Sequence, residues 1–161
     1  CKMRERPDHP NRLIREGNMG NVNIGRVVLG GLLAGLILNT GEFILNEPIL
    51  GEEWASTMES MNRPAISSGA IVCFVVMTFV LGIFTVCLYA AMRPRFGPGP
   101  KTAILAGLSV WFLTALWPAV GFAAMGLFPL RLLVIGIVWG FFELPLAALA
   151  GAWLYREEEP L

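Results

Sequence analysis

The chain has 161 residues, in which twelve Lys and Arg balance twelve Asp and Glu. Hydrophobic residues make up 55% of it and charged residues 15%, whereas soluble domains average about 45–50% and about 25%. This composition excludes a disordered chain, a disulfide scaffold and a basic nucleic-acid binder, so nucleic acid is not an expected partner. The charges are concentrated in a few short segments, which indicates membrane spans joined by polar loops.

Four hydrophobic segments follow in chain order, at about residues 24–45, 67–91, 103–124 and 130–154. Each has 22 to 25 residues. A helix of that length is about 33–38 Å long and crosses a hydrocarbon core of about 30 Å. Alternation of period two is absent, which argues against a barrel. The sequence therefore predicts an all-α polytopic membrane protein with four transmembrane helices in an antiparallel bundle.

The spans and their loops form one predicted domain over residues 19–156. Residues 1–18 form a polar tail that we expect to be poorly ordered, and residues 157–161 form an acidic C-terminal tail. Ten Lys and Arg lie in the N-terminal tail, at the start of the first segment (Arg26), in the loop between the second and third segments, and at the C-terminus. Only Arg63 and Arg131 lie on the opposite side. The positive-inside rule therefore predicts that both termini are cytoplasmic.

The loops differ in length and composition. Residues 93–101 contain three prolines, which predicts a stiff turn and no continuing helix. In the longer acidic loop, residues 46–66, helical spacing relates Trp54, Met58 and Met61. This loop is predicted to be either a short helix on the outer membrane face or a solvated loop anchored by Trp54.

Familiar catalytic and cofactor signatures are absent from the sequence. It contains no phosphate loop, nucleophile elbow or HExxH motif. Cys73 and Cys87 are 14 residues apart with no His near them, which favours buried apolar residues over metal ligands. The single His, His9, lies in the polar tail, so axial His ligation of haem within the spans is excluded. We therefore expect no metal, no cofactor and no enzymatic activity.

Five polar residues inside the spans are candidates for a site. Glu143 lies near the centre of the fourth span and Glu42 near the outer end of the first. An ionised carboxylate at mid-membrane is costly, so Glu143 should be protonated, paired or hydrated. Thr78 and Thr114 lie near the midplane, and Asn39 lies about 7 Å to its outer side. These side chains are predicted to share one polar pocket that opens outward past Glu42. The alternative is that they only bond helix to helix, at about 0.6–2 kcal/mol each.

Small residues share a helical face with each carboxyl. In the first span Gly31 and Gly35 form a GxxxG motif on the face of that span's Glu. In the fourth span Gly136 and Gly140 lie on the corresponding face. We therefore expect the two glycine faces to pack against each other.

Three segments of the chain resemble small four-helix inner-membrane proteins of bacteria whose function is unknown. These segments are residues 24–43, 93–102 and 139–145. The resemblance covers most of residues 19–156. It implies a bacterial inner membrane, and it implies no activity, substrate or catalytic residue.

Three functions fit the sequence. The first is a non-catalytic scaffold or accessory protein of the lipid bilayer, acting by helix packing as a homo-oligomer or in a larger membrane complex. The second is an oligomeric transporter-like or small-ligand-binding protein that uses Glu143. The third is a membrane enzyme that acts on lipid, with Glu143 or Glu42 as acid or base. A cavity that contains Glu143 favours the second function, whereas a dry, close-packed core favours the first.

Overall fold

The computed structural model describes residues 22–155, and the predictions on residues 1–18 and 157–161 lie outside that range. The part that is described contains four helical segments long and apolar enough to cross a membrane, which we name the first to fourth spans. They are Ile24–Ile49, Ser68–Phe96, Pro100–Met125 and Leu130–Leu154. The prediction of an all-helical chain with four such segments is confirmed over these residues.

Six α-helices build the spans and one connection. In chain order they are α1 (Ile24–Ile44), α2 (Gly51–Ser60), α3 (Ser68–Phe96), α4 (Pro100–Trp111), α5 (Trp117–Met125) and α6 (Leu130–Leu154). Side-chain caps begin two of them. The Asn23 carboxamide oxygen accepts from the Arg26 N–H at 3.0 Å, and the Ser67 hydroxyl accepts from the Ala70 N–H at 3.2 Å. Each cap satisfies a backbone donor that has no partner within the helix.

The turn predicted over residues 93–101 is shorter in the structure. Helix α3 continues through Pro94, and it ends only before Gly97, which has a φ of 81°. Pro94 removes one backbone donor, but the chain beyond it still bonds back, because the Gly97 N–H donates to the Arg93 carbonyl at 2.8 Å. Pro100 then begins α4, where a missing N–H has no cost. The prediction that these prolines exclude helix was wrong for Pro94.

The first and third spans each contain one π-helical turn, over Leu45–Ile49 and Phe112–Leu116. In the first turn the Leu50 N–H donates to the Leu45 carbonyl at 2.9 Å, a spacing of five residues. Pro48 lies inside the first turn. Pro118 directly follows Trp117, whose N–H closes the second turn by donating to the Phe112 carbonyl. A wider turn accommodates the missing N–H of a proline, and such turns recur at functional sites.

The loop after the first span forms the short helix α2, so the helical alternative for this loop is the one observed. Its Trp54 ring contacts Phe128 edge to face, with centroids 5.8 Å apart. A buried cluster, the leucine plug, joins it to the ends of the first and fourth spans. The plug consists of Leu45, Leu50 and Leu132, with Trp54 and Trp139 packed against it. We call this the short-helix end of the bundle.

Glycines set the closest contacts between the first span and its neighbours. Gly31 and Gly35 lie against α3, where a Cβ on Gly35 would come within 2.8 Å of the Phe79 Cα. Gly82 of α3 lies equally close to their backbone. The expected packing of Gly31 and Gly35 on the fourth span was therefore wrong. The first and fourth spans instead meet where Gly30 faces Gly151, one residue and thus about 100° around the helix from the GxxxG face.

The fourth-span glycines have different neighbours. Gly140 faces the third span, since a Cβ there would lie 3.3 Å from the Trp111 ring and 3.6 Å from the Ala115 Cβ. Gly136 has open space beside it. The third and fourth spans approach most closely at Gly107, where a Cβ would lie 2.7 Å from the Pro145 Cα.

The second span is well packed over only part of its length. It contacts the third span mainly along α4, and it has few contacts with the rest of that span. Over residues 68–77, every residue except Ala70 is exposed. Cys73 and Cys87 are both exposed, so the expectation that they are buried was wrong. The buried core is made of small and aliphatic residues nearer the opposite end, including Ala34, Leu38, Val86, Ala103, Ala106, Val110 and Ala147.

Candidate functional site

A cavity of about 170 Å³ lies between the four spans, and residues from all of them line it. Its polar lining groups are Glu42, Thr78, Thr114 and Glu143. The rest of the wall is apolar or glycine, formed by Leu38, Leu81, Ala115, Gly136, Gly140 and Leu144. The structure thus brings together four of the five polar residues singled out from the sequence, and it leaves Asn39 outside the cavity lining.

Glu143 is the most buried ionisable group of this cavity, with 8% of its surface exposed. Its Oε1 atom is buried and has no hydrogen-bond partner among the residues that the structure describes. The carboxyl group lies against the backbone of the first span at Gly41, where an added Cβ would overlap Oε1. The indole Nε1 of Trp139, one helical turn away, is also buried and lies close by, with its N–H available to this carboxyl.

Glu42 lies at the exposed rim of the cavity and is held by a chain of hydrogen bonds. The Asn46 carboxamide donates to Glu42 Oε2 at 2.7 Å and to the Glu42 carbonyl at 2.9 Å. The Trp54 indole N–H donates in turn to Asn46 Oδ1 at 2.8 Å. The position of this carboxyl is therefore tied to the short helix α2.

The Thr114 hydroxyl donates to the Val110 carbonyl at 2.8 Å, so its oxygen lone pairs remain available to the cavity. Thr114 lies in the π-helical turn of the third span. The Asn39 carboxamide donates to the Gly35 carbonyl at 2.8 Å and to the Val75 carbonyl of α3 at 3.4 Å. Asn39 therefore joins the first span to the second and serves packing.

A larger depression of about 490 Å³ lies on the surface of the third and fourth spans. Apolar and aromatic side chains line it, and its only hydroxyl, that of Ser109, donates to the Leu105 carbonyl at 2.8 Å. A surface of this kind suits lipid chains. Because no charged group lines it, the smaller cavity is the candidate site.

The chemistry of the smaller cavity follows from its two carboxyls. Glu42 and Glu143 come from different spans and line the same cavity, and the Glu143 carboxyl lies against Gly41, the residue before Glu42. Two carboxylates in one poorly solvated space repel each other unless a proton or a cation lies between them. Among the described residues, 22–155, no Lys or Arg lines the cavity. The cavity can therefore hold a shared proton or a positively charged ligand.

Three residues that contribute to this site were not recognised from the sequence. Gly41 provides the backbone surface on which the Glu143 carboxyl lies, Trp139 places an indole beside that carboxyl, and Asn46 holds Glu42. Helical spacing signals two of them, since Trp139 is four residues before Glu143 and Asn46 four residues after Glu42. Nothing in the local sequence indicates the role of Gly41, because its partner is on another span.

The fold and the cavity together define a class, a helical membrane-type bundle in which one cavity has a buried carboxyl inside and a second carboxyl at its exposed rim. No family model matches the chain, and no curated protein or solved structure is significantly similar to it.

Proposed function

We propose that this protein binds a small organic cation in the cavity between Glu42 and Glu143. The observation that supports this function concerns the described part of the chain: Oε1 of Glu143 is buried without a hydrogen-bond partner there, in a cavity lined by a second carboxyl and by no basic residue of that part. A ligand with one positive charge would lie between the two carboxylates and neutralise one of their two charges. In its absence a shared proton performs that role, so cation binding displaces a proton.

The size of the cavity limits the cation. About 170 Å³ corresponds to between five and six water-sized groups at about 30 Å³ each. An ammonium nitrogen with four methyl groups has five heavy atoms and fills that space. The leucines of the wall contact its methyl groups, and the two carboxylates neutralise its charge. This mixture of apolar wall and few charged groups is typical of small-molecule sites.

The protein is further proposed to lie in a bacterial inner membrane with both termini in the cytoplasm. The ten-to-two distribution of Lys and Arg supports the orientation, and the resemblance of residues 24–43, 93–102 and 139–145 supports the location. In this orientation α2 and the short-helix end face the outside of the cell.

Carbodiimide labelling tests the proposed site. Dicyclohexylcarbodiimide partitions into membranes and modifies carboxyl groups in apolar surroundings. The full chain in nanodiscs is treated with the reagent, and modified peptides are quantified by mass spectrometry with increasing tetramethylammonium chloride. We expect Glu143 to be labelled and the labelling to fall to background as the cation occupies the cavity. N-methylglucamine chloride provides equal ionic strength with a cation too large to enter.

The carboxyl pair gives this experiment a second arm. In the Glu42→Gln variant, which retains the side-chain shape, Glu143 is still labelled but tetramethylammonium should protect it about 30-fold less well. That factor corresponds to losing one partner of a close charge pair, about 2 kcal/mol. Glu59, exposed on α2, serves as an internal control that should stay at background labelling with and without the cation. If tetramethylammonium leaves Glu143 labelling unchanged in the unmodified protein, the proposed function is wrong.

A second candidate function, a scaffold that acts by self-association, is supported by one observation. Residues 68–77 of the second span, apart from Ala70, are all classed as exposed, and most of them are apolar. Large exposed apolar surface within a membrane suits packing against another helix of a second copy. Oxidation of membranes by copper phenanthroline would then cross-link two copies through Cys73. Cys87, exposed on the well-packed part of the same helix, should not cross-link.

A further inference from the structure

Near the short-helix end, the cavity is closed on the side of the first and fourth spans and open on the side of the second and third spans. On the side of the first and fourth spans, the leucine plug lies directly above the cavity. Leu45 is three residues beyond Glu42, and Leu132 is four residues from Gly136, so each lies one turn from a lining residue on the same face. Glu53 and Arg131 form an ion pair that adds to this closure.

On the side of the second and third spans, the cavity opens into a fissure. The second span has few contacts with the third beyond α4, and its residues 71–77 are all exposed. Thr114 lines the cavity and is itself exposed. It lies near the middle of Pro100–Met125, at a depth where the surroundings of the protein are lipid chains. The fissure therefore opens sideways into one leaflet.

The two carboxyls differ in exposure but lie near each other, because the Glu143 carboxyl contacts Gly41, the residue before Glu42. Glu42 is near the end of α1, where the bundle meets the membrane surface, and is exposed. Glu143 lies in the middle of α6 and is buried. A positive head group can therefore move from one carboxyl to the other without leaving negative charge. The cavity itself has no room for a long hydrocarbon chain, because its volume is about 170 Å³.

We infer that the ligand is an amphiphilic ammonium compound which enters from the leaflet at the short-helix end. Its head group passes through the fissure between the second and third spans to the carboxyls, and its tail stays in the lipid. This inference rests on the proposed function and adds to it the substrate class and the route.

A series of alkyltrimethylammonium ions tests the inference. Tetramethylammonium and its butyl, hexyl and octyl analogues are compared for their protection of Glu143 against carbodiimide in nanodiscs. If the tail stays in lipid, each added methylene strengthens the affinity for the aqueous ion about fourfold, the factor for moving one methylene from water to lipid. If the site were reached from water through an opening without space for a tail, affinity would stay constant or fall with length. Either of those outcomes overturns the inference.

The route is tested separately by cysteine accessibility. Gly136 lines the cavity and has open space beside it, so Gly136→Cys provides a reporter after Cys1, Cys73 and Cys87 are replaced. We expect a lipophilic maleimide to react with this cysteine far faster than a charged, membrane-impermeant maleimide. Glu52→Cys, exposed on α2, should react readily with both.

The two experiments separate the failure of the route from the failure of the proposed function. Equal or faster reaction of Gly136→Cys with the impermeant reagent overturns the lateral route, even where tetramethylammonium protects Glu143. If no member of the series protects Glu143, the proposed function fails and the ligand class fails with it. If only the longer ions protect Glu143, the proposed site for a small cation is wrong, because binding then requires the tail.

Discussion

The contact between the first and second spans predicts a large difference between two glycine substitutions. A Cβ added at Gly82 would lie 2.5 Å from the Gly31 carbonyl oxygen and 2.7 Å from the Gly35 Cα. Carbon atoms in contact are normally about 3.5–4.0 Å apart. Because the atoms in the way are backbone atoms, the two helices must separate by up to about 1 Å. Gly82→Ala is therefore expected to destabilise the bundle.

The size of the effect follows from the contacts that the separation weakens. A patch the size of one buried leucine makes about 40–60 atomic contacts of about 0.1–0.2 kcal/mol, and a gap of this size removes at least a quarter of that energy. The loss is then about 2 kcal/mol, which agrees with the cost of overpacking a well-packed core. It corresponds to about a 30-fold decrease in the folding equilibrium constant.

The assay is reversible unfolding in mixed micelles by increasing sodium dodecyl sulfate, followed by far-ultraviolet circular dichroism. Gly121→Ala is the matched control, because Gly121 is also a glycine within a span and no atom lies within 4 Å of its added Cβ. We expect the midpoint of Gly82→Ala to shift to lower detergent and that of Gly121→Ala to stay or rise. Equal midpoints for the two variants would refute the close contact.

Three further predictions address the site and the orientation. Gly41→Ala should leave stability nearly unchanged, since the added methyl group displaces only the flexible end of the Glu143 side chain. Protection of Glu143 by tetramethylammonium should nevertheless weaken about tenfold, a cost of about 1.4 kcal/mol. Unchanged protection would show that this carboxyl is not held at Gly41. Trp54→Phe keeps an aromatic side chain but is smaller and lacks the N–H that donates to Asn46, so it should destabilise the bundle by at least about 1 kcal/mol in the same unfolding assay. An unaltered midpoint would contradict that role. In intact cells an impermeant maleimide should label Glu52→Cys and not Gly97→Cys, and the opposite pattern would invert the proposed orientation.

The helical spans were predictable because the bilayer leaves few alternatives. A backbone within lipid must satisfy its own hydrogen bonds, so long apolar segments of the sequence become helices. The ends were less predictable. Pro94 does not end α3, because the helix loses only one hydrogen-bond donor there. The helix ends instead before Gly97, where the backbone takes a positive φ. The π-helical turns at Leu45–Ile49 and Phe112–Leu116 have no periodicity that the sequence analysis could detect.

The partner of each glycine face could not be read from the sequence. A GxxxG motif indicates close approach to some helix, and its periodicity does not specify which one. In the structure Gly31 and Gly35 meet the second span, while the adjacent Gly30 meets the fourth. A rotation of about 100° around the helix therefore exchanges one neighbour for another. That choice depends on the packing of all four spans together.

The polar residues of the candidate site were predictable from the sequence, whereas the space beside them was not. Its carboxyls and hydroxyls could be found from the sequence, because polar residues are costly within a span and turn inward wherever they occur. That these side chains lie near one another could be predicted from their depth in the membrane and the helix face that each occupies. The structure does place Glu42, Thr78, Thr114 and Glu143 around one cavity. What turns this group into a site is the space that remains beside it. That space exists because the second span diverges from the third, while Gly41 and the leucine plug bring the first span close to the fourth. Burial of Glu143 and access to it thus arise from opposite sides of one bundle, and only the three-dimensional packing determines both.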